Sequence, residues 1–115
     1  MIQFGLEEPT IGLINIIFAK YSELEKVILY GSRAKGNFKP GSDIDLTFVG
    51  NNLNQTILNK IEDDIDDLLL PYSFDLSVFK HISNTDFIAH INRVGIVFYE
   101  RKPVIETNIN NNGNL

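Results

Sequence analysis

Two aspartates one residue apart, Asp43 and Asp45 in "GSDIDLTF", follow a Pro-Gly turn and lead into an apolar run. The same tripeptide recurs at Asp64, Ile65 and Asp66 inside "IEDDIDDLLL", and local geometry separates the two copies. In a strand, side chains two apart share a face, with backbone origins roughly 6.6 Å apart. In a helix the same spacing turns by roughly 200°, so Asp64 and Asp66 diverge. Only the first copy can act as a pair. Two unit charges 4 Å apart cost roughly 4 kcal/mol at a near-surface dielectric, so converging carboxylates call for a cation between them. Magnesium suits the position: it accepts one or two protein carboxylates and completes its shell with water and phosphate oxygens. The chemistry indicated is therefore metal-assisted reaction at a phosphate, with a second ion roughly 4 Å from the first able to activate an attacking oxygen.

That chemistry wants a third carboxylate, and Asp75 is the candidate: it lies on the polar phase of "SFDLSVF", whose other phase is Phe74, Leu76 and Val78. The phosphate half is expected in "YGSRAKG". There a strand ending at Gly31 and Ser32 would present backbone N–H groups at a helix start, where an anion is favoured. The Ser32 hydroxyl adds a donor, and Arg33, Lys35 and Lys39 bring positive charge into an acidic chain. The second Asp-Ile-Asp belongs instead to a helix whose solvated side carries Glu62, Asp63, Asp66 and Asp67.

Hydrophobic periodicity supplies the elements that would position these groups. After Pro9 and Thr10, the residues Ile14, Ile17, Phe18 and Tyr21 recur at helical spacing, with Leu24 continuing the stripe. "KVILYGS" predicts a buried strand running into a turn, and "SRAKGNFKPGS" a short helical piece broken by Gly36, Pro40 and Gly41. "DIDLTFVG" alternates Ile44, Leu46 and Phe48 against Asp43, Asp45 and Thr47, the period of a strand. Between Asn54 and Leu70 an isoleucine stripe widened by Leu58 and Leu69 predicts a helix stopped by Pro71. "SFDLSVF", a helix near Thr85 to Arg93 that Asp86 would start, and "GIVFYE" complete the series. Helices alternating with strands indicate an α/β or α+β domain with a mixed sheet flanked by helices.

Composition narrows the function. At 115 residues and 43% apolar content the chain has the size of one domain. We expect that domain over residues 1–103, followed by an asparagine-rich, disordered tail over 104–115. Fifteen acidic against ten basic side chains leave a net charge of -5, which argues against nonspecific binding of a nucleic acid backbone. The absence of cysteine excludes disulfides, thiolate metal sites and cysteine nucleophiles, and is compatible with the cytoplasm. No apolar stretch reaches the roughly 20 residues a bilayer span needs, and "MIQFGLEEPT" lacks a signal-peptide pattern, so neither membrane nor export is expected. His81 and His90 have no metal-ligand spacing, and Tyr30 reads as core rather than as a stacking platform for a base.

Taken together, Gly31-Ser32, ten residues, Asp43-x-Asp45 and a later strand aspartate at Asp75 resemble the nucleotidyltransferase superfamily typified by DNA polymerase beta. "GSRAKGNFKPGSDIDL" is especially similar to the minimal nucleotidyltransferases of bacteria and archaea. The resemblance implies that Gly31 and Ser32 hold nucleotide phosphates, with Arg33, Lys35 and Ser42 also on the nucleotide side. It implies that Asp43 and Asp45 are the paired metal ligands, and that Asp75 is the third, catalytic carboxylate, with two magnesium ions and ATP as substrate. Relatives that modify antibiotics or polymerise nucleotides carry extra helical domains for the acceptor, whereas this fold is expected to end near residue 101. The resemblance therefore implies an acceptor on another chain. That partner would be a small all-helical HEPN-type toxin, silenced by transfer of AMP. The rival expectations are a catalytically idle subunit that neutralises its partner by contact, and adenylylation of a small molecule held by a partner.

Overall fold

The computed structural model describes residues 1–102; the tail expected over 104–115 lies outside them. The chain opens with a hairpin of two-residue strands, β1 (Ile2–Gln3) and β2 (Leu6–Glu7), and then forms α1 (Glu8–Ala19). There follow β3 (Lys26–Tyr30), α2 (Ser32–Lys35), β4 (Ile44–Val49), α3 (Gln55–Asp66), β5 (Phe74–Val78), a 3-10 turn at Phe79–His81, α4 (Thr85–Val94) and β6 (Ile96–Glu100). The main sheet has the order β5-β4-β3-β6. β3 runs antiparallel to both β4 and β6, while β4 and β5 are parallel, joined through α3 as a parallel pair requires. This is the mixed α/β domain expected.

Cross-strand register divides the sheet into two faces. Val27 and Leu29 of β3, Ile44, Leu46 and Phe48 of β4, and Val78 of β5 join the core formed with α1 and α3. Phe18 of α1 is fully buried there and meets Phe48 edge-on, with ring centroids 5.5 Å apart. Each such side chain contributes about 1.5–3 kcal/mol through removal of apolar surface from water. Ile28, Tyr30, Asp45, Thr47, Asp75 and Ser77 occupy the other face. α4 covers part of it: Phe87 packs edge-on against Tyr30 at 5.5 Å, and Gly95 lies so close to Ile28 that a Cβ there would collide with it.

Three boundaries depart from expectation. The β1–β2 hairpin was not expected; its turn residues Phe4 and Gly5 both have positive φ (56° and 77°), as a tight hairpin turn demands. α1 starts at Glu8 with Pro9 in its first turn, where a missing N–H costs nothing. α3 ends at Asp66, short of Pro71, because Leu69 takes a positive φ of 55° and points outward, 88% exposed, instead of widening the apolar stripe.

The second Asp-Ile-Asp is structural, in keeping with its helical spacing. Ile65 is buried, Asp66 is exposed, and Asp64 accepts a hydrogen bond from the Tyr21 hydroxyl at 2.5 Å and pairs with Lys20 at 3.1 Å. This clamp ties the end of α1 to α3. The Tyr21 hydrogen bond, then Lys20, hold the Asp64 carboxyl below its ordinary range, while burial and the same carboxylate push the Tyr21 hydroxyl up to about 12.

Candidate active site

The acids expected to act together converge through sheet register. Asp45 on β4 is the direct partner of Tyr30 on β3 and of Asp75 on β5, so the three side chains form one row across adjacent strands, spaced by about 4.8 Å. Asp43 lies just before β4, two residues from Asp45. Between them the Ile44 N–H donates to the Ser73 carbonyl at 2.9 Å, which fixes the strand entry. Asp43 and Asp75 are exposed and Asp45 is half-buried.

The row is electrostatically crowded. Burial, then the charge of Asp75, then that of Asp43 push the Asp45 carboxyl above its ordinary range, with Arg33 opposing them. The Tyr30 hydroxyl is pushed up to about 12 by burial and by the Asp75 and Asp45 charges, against the Ser77 hydroxyl beside it. Tyr30 is buried, 7% exposed, beneath Phe87 of α4 on this face of the sheet. Among the described residues no three carboxylates or imidazoles are gathered into a finished cage for an ion. The donor set nevertheless suits a hard dication: oxygen ligands only, with one carboxyl held uncomfortably in its charged form by burial and by the other two.

Gly31 joins the two halves of the site. Its φ of 77° and ψ of -158° form a conformation that is essentially confined to glycine, and a Cβ there would overlap the Asp45 carboxylate. The chain thus turns from β3 into α2 directly against Asp45, with Ser32 following at the first position of the helix. Lys35 and Lys39 are exposed on the same connection.

Arg33 and Ser42, both expected on the nucleotide side from sequence, are joined to each other. Arg33 is only 3% exposed. Its Nε and Nη2 donate to the Ser42 carbonyl at 3.1 and 2.9 Å, and its Nη1 donates to the Phe4 carbonyl at 2.8 Å. Phe38 and Tyr72 flank the guanidinium at 5.2 and 5.3 Å from their ring centroids. The Ser42 hydroxyl accepts the Lys39 N–H at 2.8 Å. These contacts were not legible in the sequence: Phe38 and Ser42 lie in the adjoining loop and Phe4 and Tyr72 in distant stretches, and no local pattern announces them. His81 lies in the 3-10 turn, and His90 on α4 sits 3.4 Å from Arg93, away from the acid row in sequence and element.

Residues 13–104 match the family model described as polymerase beta, nucleotidyltransferase. The chain belongs to this family. None of the curated proteins matches it by sequence, but solved structures share the fold. A chain of a toxin–antitoxin complex crystallised with AMP-PNP is 18% identical, with a TM-score of 0.65 over 80% of this chain and 74% of that one. The complex of a tri-AMPylated Shewanella oneidensis HEPN toxin with its MNT antitoxin contains a chain 16% identical, with a TM-score of 0.60 over 82% and 72%. A chain of the MntA–HepT toxin–antitoxin is 15% identical, with a TM-score of 0.61 over 83% and 74%. At these identities the likeness is one of fold.

Proposed function

We propose that this nucleotidyltransferase transfers AMP from ATP to a hydroxyl of a partner protein, and that it is the antitoxin of a pair whose toxin is a small all-helical HEPN-type protein. The observation that carries the proposal is the in-register pairing of Asp45 with Asp75, with Asp43 two residues away and Gly31 against them. Asp43, Asp45 and Asp75 would hold magnesium, which when bound would neutralise phosphate charge and make the attacking hydroxyl more acidic. Gly31 lets the Asp45 carboxylate lie directly against the turn, and Ser32 offers the triphosphate a hydroxyl and one of the N–H groups left free at a helix start. Asp75, on the exposed side of the row, would receive the acceptor's proton as its oxygen attacks the α-phosphate. The new bond is phosphorus to acceptor oxygen, the broken bond joins the α-phosphorus to the bridging oxygen, and pyrophosphate leaves. The toxin–antitoxin context of the fold relatives, one with an AMPylated toxin and one with AMP-PNP, supports both partner and nucleotide.

Co-expression with the product of the neighbouring gene, followed by intact mass spectrometry of that partner, tests the proposal. A partner heavier by whole AMP units with wild type and unmodified with Asp43→Asn is the expected result. A tight complex whose partner keeps its unmodified mass would replace transfer by neutralisation through contact.

A further inference from the structure

Arg33 stands between the two halves of the site and touches both through the backbone. It follows Ser32 directly, and it grips the Ser42 carbonyl, whose peptide leads into Asp43, with two donors at 3.1 and 2.9 Å. A third donor reaches the Phe4 carbonyl in the N-terminal hairpin at 2.8 Å. Between α2 and β4 the connection has neither helix nor strand and contains Gly36, Pro40 and Gly41, so its own conformational preferences are weak. The connection's own hydrogen bonds are the two between Lys39 and Ser42, one in each direction, and those from Gly36 and Asn37 back to Ser32.

A buried guanidinium is a costly choice for mere filling, because an apolar side chain of similar volume fills space without desolvating a charge. What the guanidinium supplies is geometry. Its planar fork spends two donors on one carbonyl, and its faces are held between Phe38 and Tyr72 at 5.2 and 5.3 Å. Lysine has neither the fork nor the flat face.

We propose that Arg33 is a positioning residue that holds the Asp43 loop at a set distance from the Gly31–Ser32 turn, so that carboxylates and phosphate cradle meet the same magnesium nucleotide. This rests on the proposed nucleotidyl transfer. Arg33 acts through Ser42 and Asp43 and does not itself touch the nucleotide. Loss of the fork removes no ligand but lets the aspartate and the turn drift apart.

The test is calorimetric titration of the full chain with α,β-methylene ATP over a series of magnesium concentrations, for wild type, Arg33→Lys and Phe38→Leu, well below each thermal midpoint. Arg33→Lys keeps the charge and is expected to raise the magnesium concentration at half-saturation by about tenfold, the scale on which groups behind metal ligands act. Phe38→Leu removes one stacking face and keeps all three hydrogen bonds, so a smaller shift in the same direction is expected. It decides the matter if Arg33→Lys fails to fold. A folded Arg33→Lys, or failing that Phe38→Leu, with a lowered thermal midpoint but wild-type magnesium dependence and affinity would reduce Arg33 to a structural residue and overturn the inference alone. Wild type that binds no analogue with magnesium would overturn the transfer reading, and this inference with it.

Discussion

Replacing Asp45 by Asn should stabilise the protein while abolishing transfer. The side chain keeps its size and its place on β4, but the row loses its central charge. Asp75 is the register partner one strand away, about 4.8 Å in strand spacing. Two unit charges near that distance cost about 3 kcal/mol at an effective dielectric of 20. Asp75 and Asp43 are exposed and Asp45 half-buried, so solvent and salt reduce the net relief to about 1–2 kcal/mol. For a domain of this size that corresponds to a rise of about 5–10 °C in thermal midpoint. The pH dependence follows from the raised Asp45 pKa. The folded wild type holds this proton more tightly than the unfolded chain, so its stability is highest below the ordinary carboxylate range and falls as pH rises through the folded value. The advantage of Asp45→Asn should therefore open with rising pH and be full at neutrality, and should close in acid. Magnesium should raise the midpoint of wild type more than that of the variant, because only wild type has the full charge to relieve. Thermal melts of both proteins from pH 4 to 8, with and without magnesium, measure all three. A midpoint for Asp45→Asn at or below wild type at pH 7 would refute the crowded row, whatever happened to activity.

Gly31→Ala should lose both stability and transfer: the backbone conformation alone costs about 1–3 kcal/mol for a residue with a Cβ, and the methyl group displaces the Asp45 carboxylate. A melt lower by about 5 °C or more checks the first, and intact mass of the partner checks the second; a wild-type melt would mean that the turn relaxes at no cost. Tyr21→Phe should cost about 1 kcal/mol at neutral pH by removing the donor to Asp64. Because Asp64 has a lowered pKa in the fold, that contribution is present above the ordinary carboxylate range and is lost as pH falls through the folded value. Urea unfolding should accordingly show the wild-type advantage shrinking in acid, and an advantage that persisted unchanged would separate the Tyr21 effect from the Asp64 charge.

Period and punctuation made most of this fold and half of the site legible. Alternation in "DIDLTFV" and "FDLSV" identified both acid-bearing strands and the phase of Asp45 and Asp75, because a half-buried strand must sort its side chains by face. The pairing of those strands was not legible: parallel neighbours are joined through a crossing helix, and nothing local in either strand encodes that Asp45 meets Asp75 rather than Ser77. The N-terminal hairpin escaped for a related reason. Its turn is Phe4-Gly5, where Asn-Gly would have been the recognisable signal, and Phe4 tolerates a positive φ within a supported setting: its carbonyl accepts from Arg33 and its ring packs against Phe98 at 6.1 Å. Arg33 shows what charge and proximity leave unsaid. A basic residue after Gly-Ser reads as a phosphate ligand when the only information is charge and proximity, but burial converts the same charge into a demand for carbonyl partners. The structure meets that demand with Ser42 and Phe4, nine and twenty-nine residues away. The motif thus holds two kinds of residue at adjacent positions: Gly31 and Ser32 are read from what they leave open, and Arg33 only from what it closes.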